Sequence, residues 1–173
     1  MNFYIADTHF GHKNIIRICN RPFSSVEEMD MVLVNNWNSR VMPDDDVYVL
    51  GDFAYRSDKA INILRSLNGR KHLIVGNHDF KNLKNNGFRN EFVEIEDMLT
   101  VKEGDVRIVL CHYPMVDWNG MYREAWHFFG HIHNNDSRAK EIMKTVPKSV
   151  NVGADCVGFM PRTARELMKW ERD

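Results

Sequence analysis

The chain has 173 residues, 23 basic and 24 acidic, for a formal net charge of −1, with 43% hydrophobic and 27% charged content. That length suits one domain with its own core, residues 1–173, and is short for two. No apolar run approaches the ~18 residues of a membrane span, and the balanced charge gives no global field to gather a polyanion, so a nucleic-acid substrate would need a local basic patch.

Three cysteines, Cys19, Cys111 and Cys156, form an odd set without paired spacing, which points to buried thiols in a reducing compartment. The opening MNFYIADTH carries a polar Asn2 and too short an apolar run for a signal peptide. The cytoplasm is the expected location.

Short runs rich in Val, Ile and Phe alternate with amphipathic stretches, the pattern of strands and helices sharing one core. NFYIA (2–6) reads as the first strand. Ser25, with Glu28 three residues on, caps an amphipathic helix that ends before Pro43. VYVL (47–50) is a buried strand, and a second helix runs from about Ser57 to Leu67, burying Ile61, Leu64 and Leu67 before Asn68-Gly69. KHLIV (71–75) is the next strand. After Gly87 the pattern turns to β: EFVEI, then MLTVK and VRIVLCH as a hairpin about the turn EGD, then WHFFG and KSVNVG. Thr163 and Glu166 form a capping-box pair ahead of a terminal helix, ARELMKW. Alternation first and strands later predict an α/β (α+β) fold of two packed mixed sheets flanked by helices, better than a simple doubly wound sheet.

Polar groups collect where the predicted strands end. Asp7 and His9 follow NFYIA, Asp52 follows VYVL, Asn77, His78 and Asp79 follow KHLIV, His112 ends VRIVLC, and His131 and His133 follow WHFFG. Turn chemistry explains Asn, Asp and Gly at such places but does not call for histidine. Strand ends on one sheet edge converge in space, so these residues can meet at one site. Carboxylate, imidazole and amide without thiolate suit manganese, iron, zinc, nickel or cobalt. Seven candidate ligands, Asp7, His9, Asp52, Asn77, His112, His131 and His133, exceed the needs of one four-coordinate ion and match two ions sharing a carboxylate.

Asp7-x-His9, Gly51-Asp52, Gly76-Asn77-His78-Asp79, His112 and Gly130-His131-x-His133 together resemble the ordered motif set of the calcineurin-like metallophosphoesterases, and DTHFGHKNII is similar to a compact bacterial and phage group within it. The resemblance implies a four-layer αββα sandwich holding two divalent ions, manganese foremost. Asp7, His9 and His133 would serve one metal, Asn77, His112 and His131 the other, and Asp52 would bridge them. A metal-bound hydroxide would attack phosphorus while His78, itself no ligand, assists, with Asp79 orienting His78. Gly76 would permit the sharp exit from its strand.

Taken singly these residues stay open to plainer readings: His9 and His112 as hydrogen-bonded structural histidines, Asn77 as a turn residue, Asp79 as the N-cap of FKNLKN. His12 reaches the substrate phosphate or packs. Arg21 and Arg123 are candidate substrate-binding residues, and Lys13, Arg17 and Arg56 are either phosphate ligands or solvated surface charges. His72 and His127 read as structural. The aromatic segment from Tyr113 to Trp126 is a base-stacking wall or simple packing. The expected activity is hydrolysis of a phosphate ester, a diester ahead of a monoester, with a nucleotide or nucleic acid among the candidate partners. The alternatives are a phosphomonoesterase or protein phosphatase of the same superfamily, and a metal-binding scaffold without chemistry.

Overall fold

The computed structural model describes residues 1–55 and 59–170, so Arg56 and the expected helix start at Ser57 lie outside the described residues. In chain order the strands are β1 (Asn2–Ile5), β2 (Asp46–Val49), β3 (Arg70–Ile74), β4 (Phe92–Glu96), β5 (Met98–Glu103), β6 (Val106–Cys111), β7 (Trp126–Phe129), β8 (Ser149–Asn151) and β9 (Arg162–Thr163). The helices are α1 (Lys13–Ile18), α2 (Val26–Asn38), α3 (Ala60–Ser66), α4 (Asn86–Arg89), α5 (Arg138–Met143) and α6 (Ala164–Trp170).

One sheet has the order β4-β3-β2-β1-β9 and the other β5-β6-β7-β8. β1 to β4 run parallel and β9 returns antiparallel to β1. β5 and β6 form the expected hairpin, and β6, β7 and β8 are parallel. Both sheets are therefore mixed, and helices flank them. The sheets meet through Tyr4, which stacks on Tyr48 at 5.4 Å and takes the edge of Phe128 from the opposite sheet at 5.1 Å. An isolated parallel bridge, Ala6 to Gly153, ties the chain just past β1 to the chain just past β8.

Helix α2 begins as its sequence dictates. Ser25 accepts a 3.1 Å hydrogen bond from the Glu28 amide, while the Glu28 carboxylate reaches back to the Ser24 amide at 2.7 Å. Met29, Leu33 and Trp37, four residues apart, are its buried stripe. The Trp37 indole donates to the Asn68 carbonyl at 3.0 Å, so a Trp37→Ala change would cost about 3–5 kcal/mol of packing. Among the described residues no helix is long and apolar enough to cross a membrane.

Several elements differ from the sequence pattern. α3 buries Ala60 and Leu64 with Leu67 behind them, leaving Ile61 only partly covered. EFVEI, which the pattern assigned to no particular sheet, pairs with β3. α1 and α5 are unanticipated; each has six residues and one buried side chain, Ile15 or Met143, too little to print an amphipathic stripe. The two-residue β9 is equally unannounced. All three cysteines are free thiols, but only Cys19 is buried.

Candidate metal centre

Each expected ligand stands just past a strand end. Asp7 and His9 follow β1, Asp52 follows β2, Asn77 follows β3, His112 follows β6, and His131 and His133 follow β7. The exits are tied to one another by backbone hydrogen bonds: Asp7 donates to Gly51 at 3.0 Å, His9 to Asp52 at 3.0 Å, and Gly130 to His112 at 2.9 Å. Asp7, His9, Asp52, His131 and His133 all hold positive φ, from 51° to 69°. L-residues adopt that region at a cost of order 1 kcal/mol or more, and such strain concentrates where side chains must be aimed.

His112 and His133 are each held by Nδ1, which leaves Nε2 to face the centre. His112 Nδ1 sits 2.8 Å from the Leu50 carbonyl, which leaves Nε2 facing Asn77 Oδ1 at 3.2 Å and Asp52 Oδ2 at 3.7 Å. His9 Nε2 is 3.6 Å from the same Asp52 oxygen and has no hydrogen-bond partner although fully buried. His78 Nε2 lies 3.9 Å from it. That carboxylate oxygen thus faces two buried imidazole nitrogens, of His9 and His112, at separations too long for hydrogen bonds, an arrangement suited to sharing a cation, while His78 stands further out and partly exposed. Among the described residues three groups of donors lie close enough to hold an ion: Asp7, His9 and His133; Asp7, Asp52 and His112; and, behind His133, Cys19, His133 and Asp155, with Asp7 shared by the first two. Asn77 joins through His112, and His131 stacks edge-on to His112 at 5.1 Å while its amide donates to Asp7 at 2.9 Å.

The electrostatics describe a cage that wants positive charge. Burial pushes Asp7 up to about 8; His133 opposes that shift and Asp52 adds to it. Burial, then the neighbouring cationic groups, holds His9 well below the ordinary histidine value, in the neutral form that ligates metals. The residues present therefore fit a divalent cation.

Two glycines are fixed by close approach. A Cβ on Gly76 would lie 2.3 Å from Asp52 Oδ1, and one on Gly130 would lie 2.5 Å from Asp7 Oδ2. Gly76 is outside the left-handed region, so space beside Asp52, not a sharp turn, is what requires glycine there.

Asp79 does not orient His78. Its fully buried carboxylate accepts from the amides of Asp52 at 2.8 Å, Phe53 at 3.0 Å and Gly76 at 2.9 Å, so it clamps the loops that carry the ligands. Nor is it an N-cap: it is the first residue of a 3-10 helix, Asp79–Lys84, preceded by His78. Burial raises it to about 7. What fixes His78 is its own amide, which donates to Asp52 Oδ1 at 2.8 Å, and ring contacts with His9 and Tyr55, each 5.3 Å between centroids.

Arg21 is likewise not a substrate residue. All five of its N–H groups are engaged, by Asp155, the Asp7 and Thr8 carbonyls and the Met29 sulfur. Its partner Asp155 is the residue that the sequence did not flag. Asp155 accepts from Arg21 Nε at 2.6 Å and stands 2.6 Å from His133 Nδ1, the carboxylate–histidine pairing that orients metal-ligating imidazoles. Burial would raise Asp155, yet His133 and Arg21 keep it below the usual carboxylate value.

His12 packs at the centre, its ring 4.0 Å from Tyr55 and its Nδ1 3.4 Å from that of His9. Arg123 is exposed on a 3-10 turn, Met121–Arg123, and Lys13 and Arg17 are exposed on α1. His72 bridges Asp46 and Glu94, and His127 is hydrogen-bonded inside the second sheet, both structural as expected. Of the aromatic segment, Trp118 and Trp126 are core, while Tyr113 lies at the site, 4.8 Å from the His131 ring.

No protein-family model matches the chain. Over 170 residues, 96% of this chain and 89% of the relative, it is 35% identical to the uncharacterized protein MJ1445 of Methanocaldococcus jannaschii. The chain belongs to that protein's family. A solved structure of a protein of unknown function from Aquifex aeolicus, AQ665, matches over 98% of each chain with a TM-score of 0.78 and 26% identity. An archaeal phosphodiesterase matches over 96% of this chain and 94% of its own with a TM-score of 0.53 and 14% identity, which shows a shared fold.

Proposed function

We propose that the chain is a calcineurin-like metallophosphoesterase that hydrolyses phosphodiesters with the help of two divalent cations, manganese foremost. The observation that carries this reading is the convergence on Asp52 Oδ2 of the buried imidazole nitrogens of His9 and His112, the first of them orphaned. The similarity of fold to an archaeal phosphodiesterase supports it. Asp7, His9 and His133 would hold one cation and Asn77, His112 and His131 the second, with Asp52 between them. When bound, such ions polarise phosphoryl oxygens and lower the pKa of water, which makes a nucleophile available near neutral pH.

The chain's own groups supply the rest. His78 is 38% exposed at its side chain and stands at the mouth of the site, so its ring can meet a substrate that the buried Asp7, His9, Asp52 and His112 cannot. Held by its amide on Asp52, it donates the Nε2 proton to the oxygen of the departing group. His12, braced on Tyr55, lines the same mouth. Arg21 is wholly consumed beneath the centre and provides no guanidinium clamp for a phosphate dianion, which favours the singly charged diester over a monoester.

The test is hydrolysis of bis-p-nitrophenyl phosphate against p-nitrophenyl phosphate by protein stripped with chelator and resupplied in turn with manganese, nickel, cobalt, zinc and magnesium. Diester cleavage that disappears on chelation and returns with metal is expected. No turnover of either ester by folded, metal-loaded protein would leave the scaffold reading in its place.

A further inference from the structure

From His78 a cleft of about 450 Å³ runs outward along the 3-10 helix Asp79–Lys84, lined by Tyr55, Asn77, His78, Phe80, Lys81 and Lys84. A second hollow of about 440 Å³ adjoins it, sharing Phe80 and Lys84 and lined also by Arg89, Glu96 and Asp97. Both volumes fall within the range of ligand pockets.

The lining is unusual for a surface helix. Phe80 is 60% exposed, two residues past the group assigned to meet the leaving oxygen. Lys81 and Lys84 are exposed, three apart, and neither is committed to an ion pair among the described residues. An exposed ring between two cations, opening from a phosphoester site, matches what single-stranded nucleic acid requires: a face for a base and charges for the backbone. The chain as a whole has no basic excess, so this short element is where a polyanion would find its local patch.

We propose that this cleft binds the nucleotide adjoining the scissile phosphate, with its base on Phe80 and its next phosphate between Lys81 and Lys84, so that the substrate is single-stranded nucleic acid. The assignment of substrate class rests on the phosphodiesterase reading; the binding itself does not.

The experiment measures fluorescence anisotropy of a short, end-labelled phosphorothioate oligothymidylate on the manganese-loaded protein as salt is raised. The wild type should bind with an affinity that falls with salt, and Lys81→Ala/Lys84→Ala should reduce the log–log slope by about 1.4, two charges at ~0.7 each. Phe80→Ala should weaken binding roughly 5- to 100-fold with the slope unchanged. Absence of binding by the wild type, or equal binding by all three proteins, overturns the proposal; if bis-p-nitrophenyl phosphate is still cleaved, the phosphodiesterase reading survives it. Binding as expected without cleavage of that ester would do the reverse.

Discussion

His133 Nδ1 lies 2.6 Å from Asp155 Oδ2, and the other oxygen of Asp155 lies 2.6 Å from Arg21 Nε. An expected ligand from the end of β7 is thereby oriented by a residue beyond β8 and by a buried cation from the loop between α1 and α2. Asp155→Asn should lower metal affinity about 10- to 100-fold, because it loosens the imidazole and removes charge. It should also destabilise the fold by roughly 3–5 kcal/mol, since Arg21 is left buried without its counter-ion. Metal titration and urea unfolding read the two effects; unaltered affinity would make Asp155 a partner of Arg21 alone.

Asp79 holds three buried amides and no imidazole. Asp79→Ala should therefore cost stability, about 1–3 kcal/mol for each amide left unsatisfied, and activity should fall with the folded fraction and the loss of metal. A variant of wild-type stability and metal content whose turnover alone had collapsed would restore the role of orienting His78.

Gly130→Ala is expected to strip metal from the centre. Its Cβ would sit 2.5 Å from both Ala6 Cβ and Asp7 Oδ2, closer than atoms pack, and Asp7 belongs to two of the donor groups. Relief requires moving Asp7 or the backbone beside it, at about 1–3 kcal/mol. Elemental analysis showing wild-type metal content would contradict this.

Stability should fall in acid through His127, away from the metal centre. Its Nδ1 donates to the Val109 carbonyl at 3.0 Å and its Nε2 accepts from the Met115 amide at 3.1 Å, so the folded chain needs the neutral ring. Burial lowers it to about 4, against the pull of the backbone hydrogen bonds to Val109 and Tyr113, whereas the unfolded chain protonates near ~6.5. The unfolded state thus binds the proton first as pH falls. Stability is fully present above about 6.5 and declines toward 4, by about 3 kcal/mol across the window. In urea unfolding, His127→Gln should show a shallower decline than the wild type between those values; parallel curves would show that His127 does not titrate there.

The candidate ligands were legible in the sequence because each sits at a strand end, where short apolar runs stop at residues that turn preference does not explain. His9, His112 and His133 could be picked out for that reason, and the two-sheet fold followed from the same runs. Asp155 was not legible. In VGADC it looks like a turn residue, and its partner Arg21 is 134 positions away, so only the folded chain reveals their pairing. Asp79 was misread for the opposite reason: adjacency to His78 suggested a pair, but successive residues leaving a strand point to different sides. The short α1 and α5 bury one residue each and left no periodic trace.

On the function proposed above, Asp52 would lie between two cations while His78 acts on substrate and holds neither. The most direct measurement is metal content by elemental analysis, beside turnover of bis-p-nitrophenyl phosphate, for the wild type, Asp52→Asn and His78→Ala. Two metals per chain are predicted in the wild type and in His78→Ala, with turnover in the latter lowered about 10²- to 10⁴-fold, and loss of both metals in Asp52→Asn. Metal lost from His78→Ala, or one ion per chain in a fully active wild type, would contradict the account.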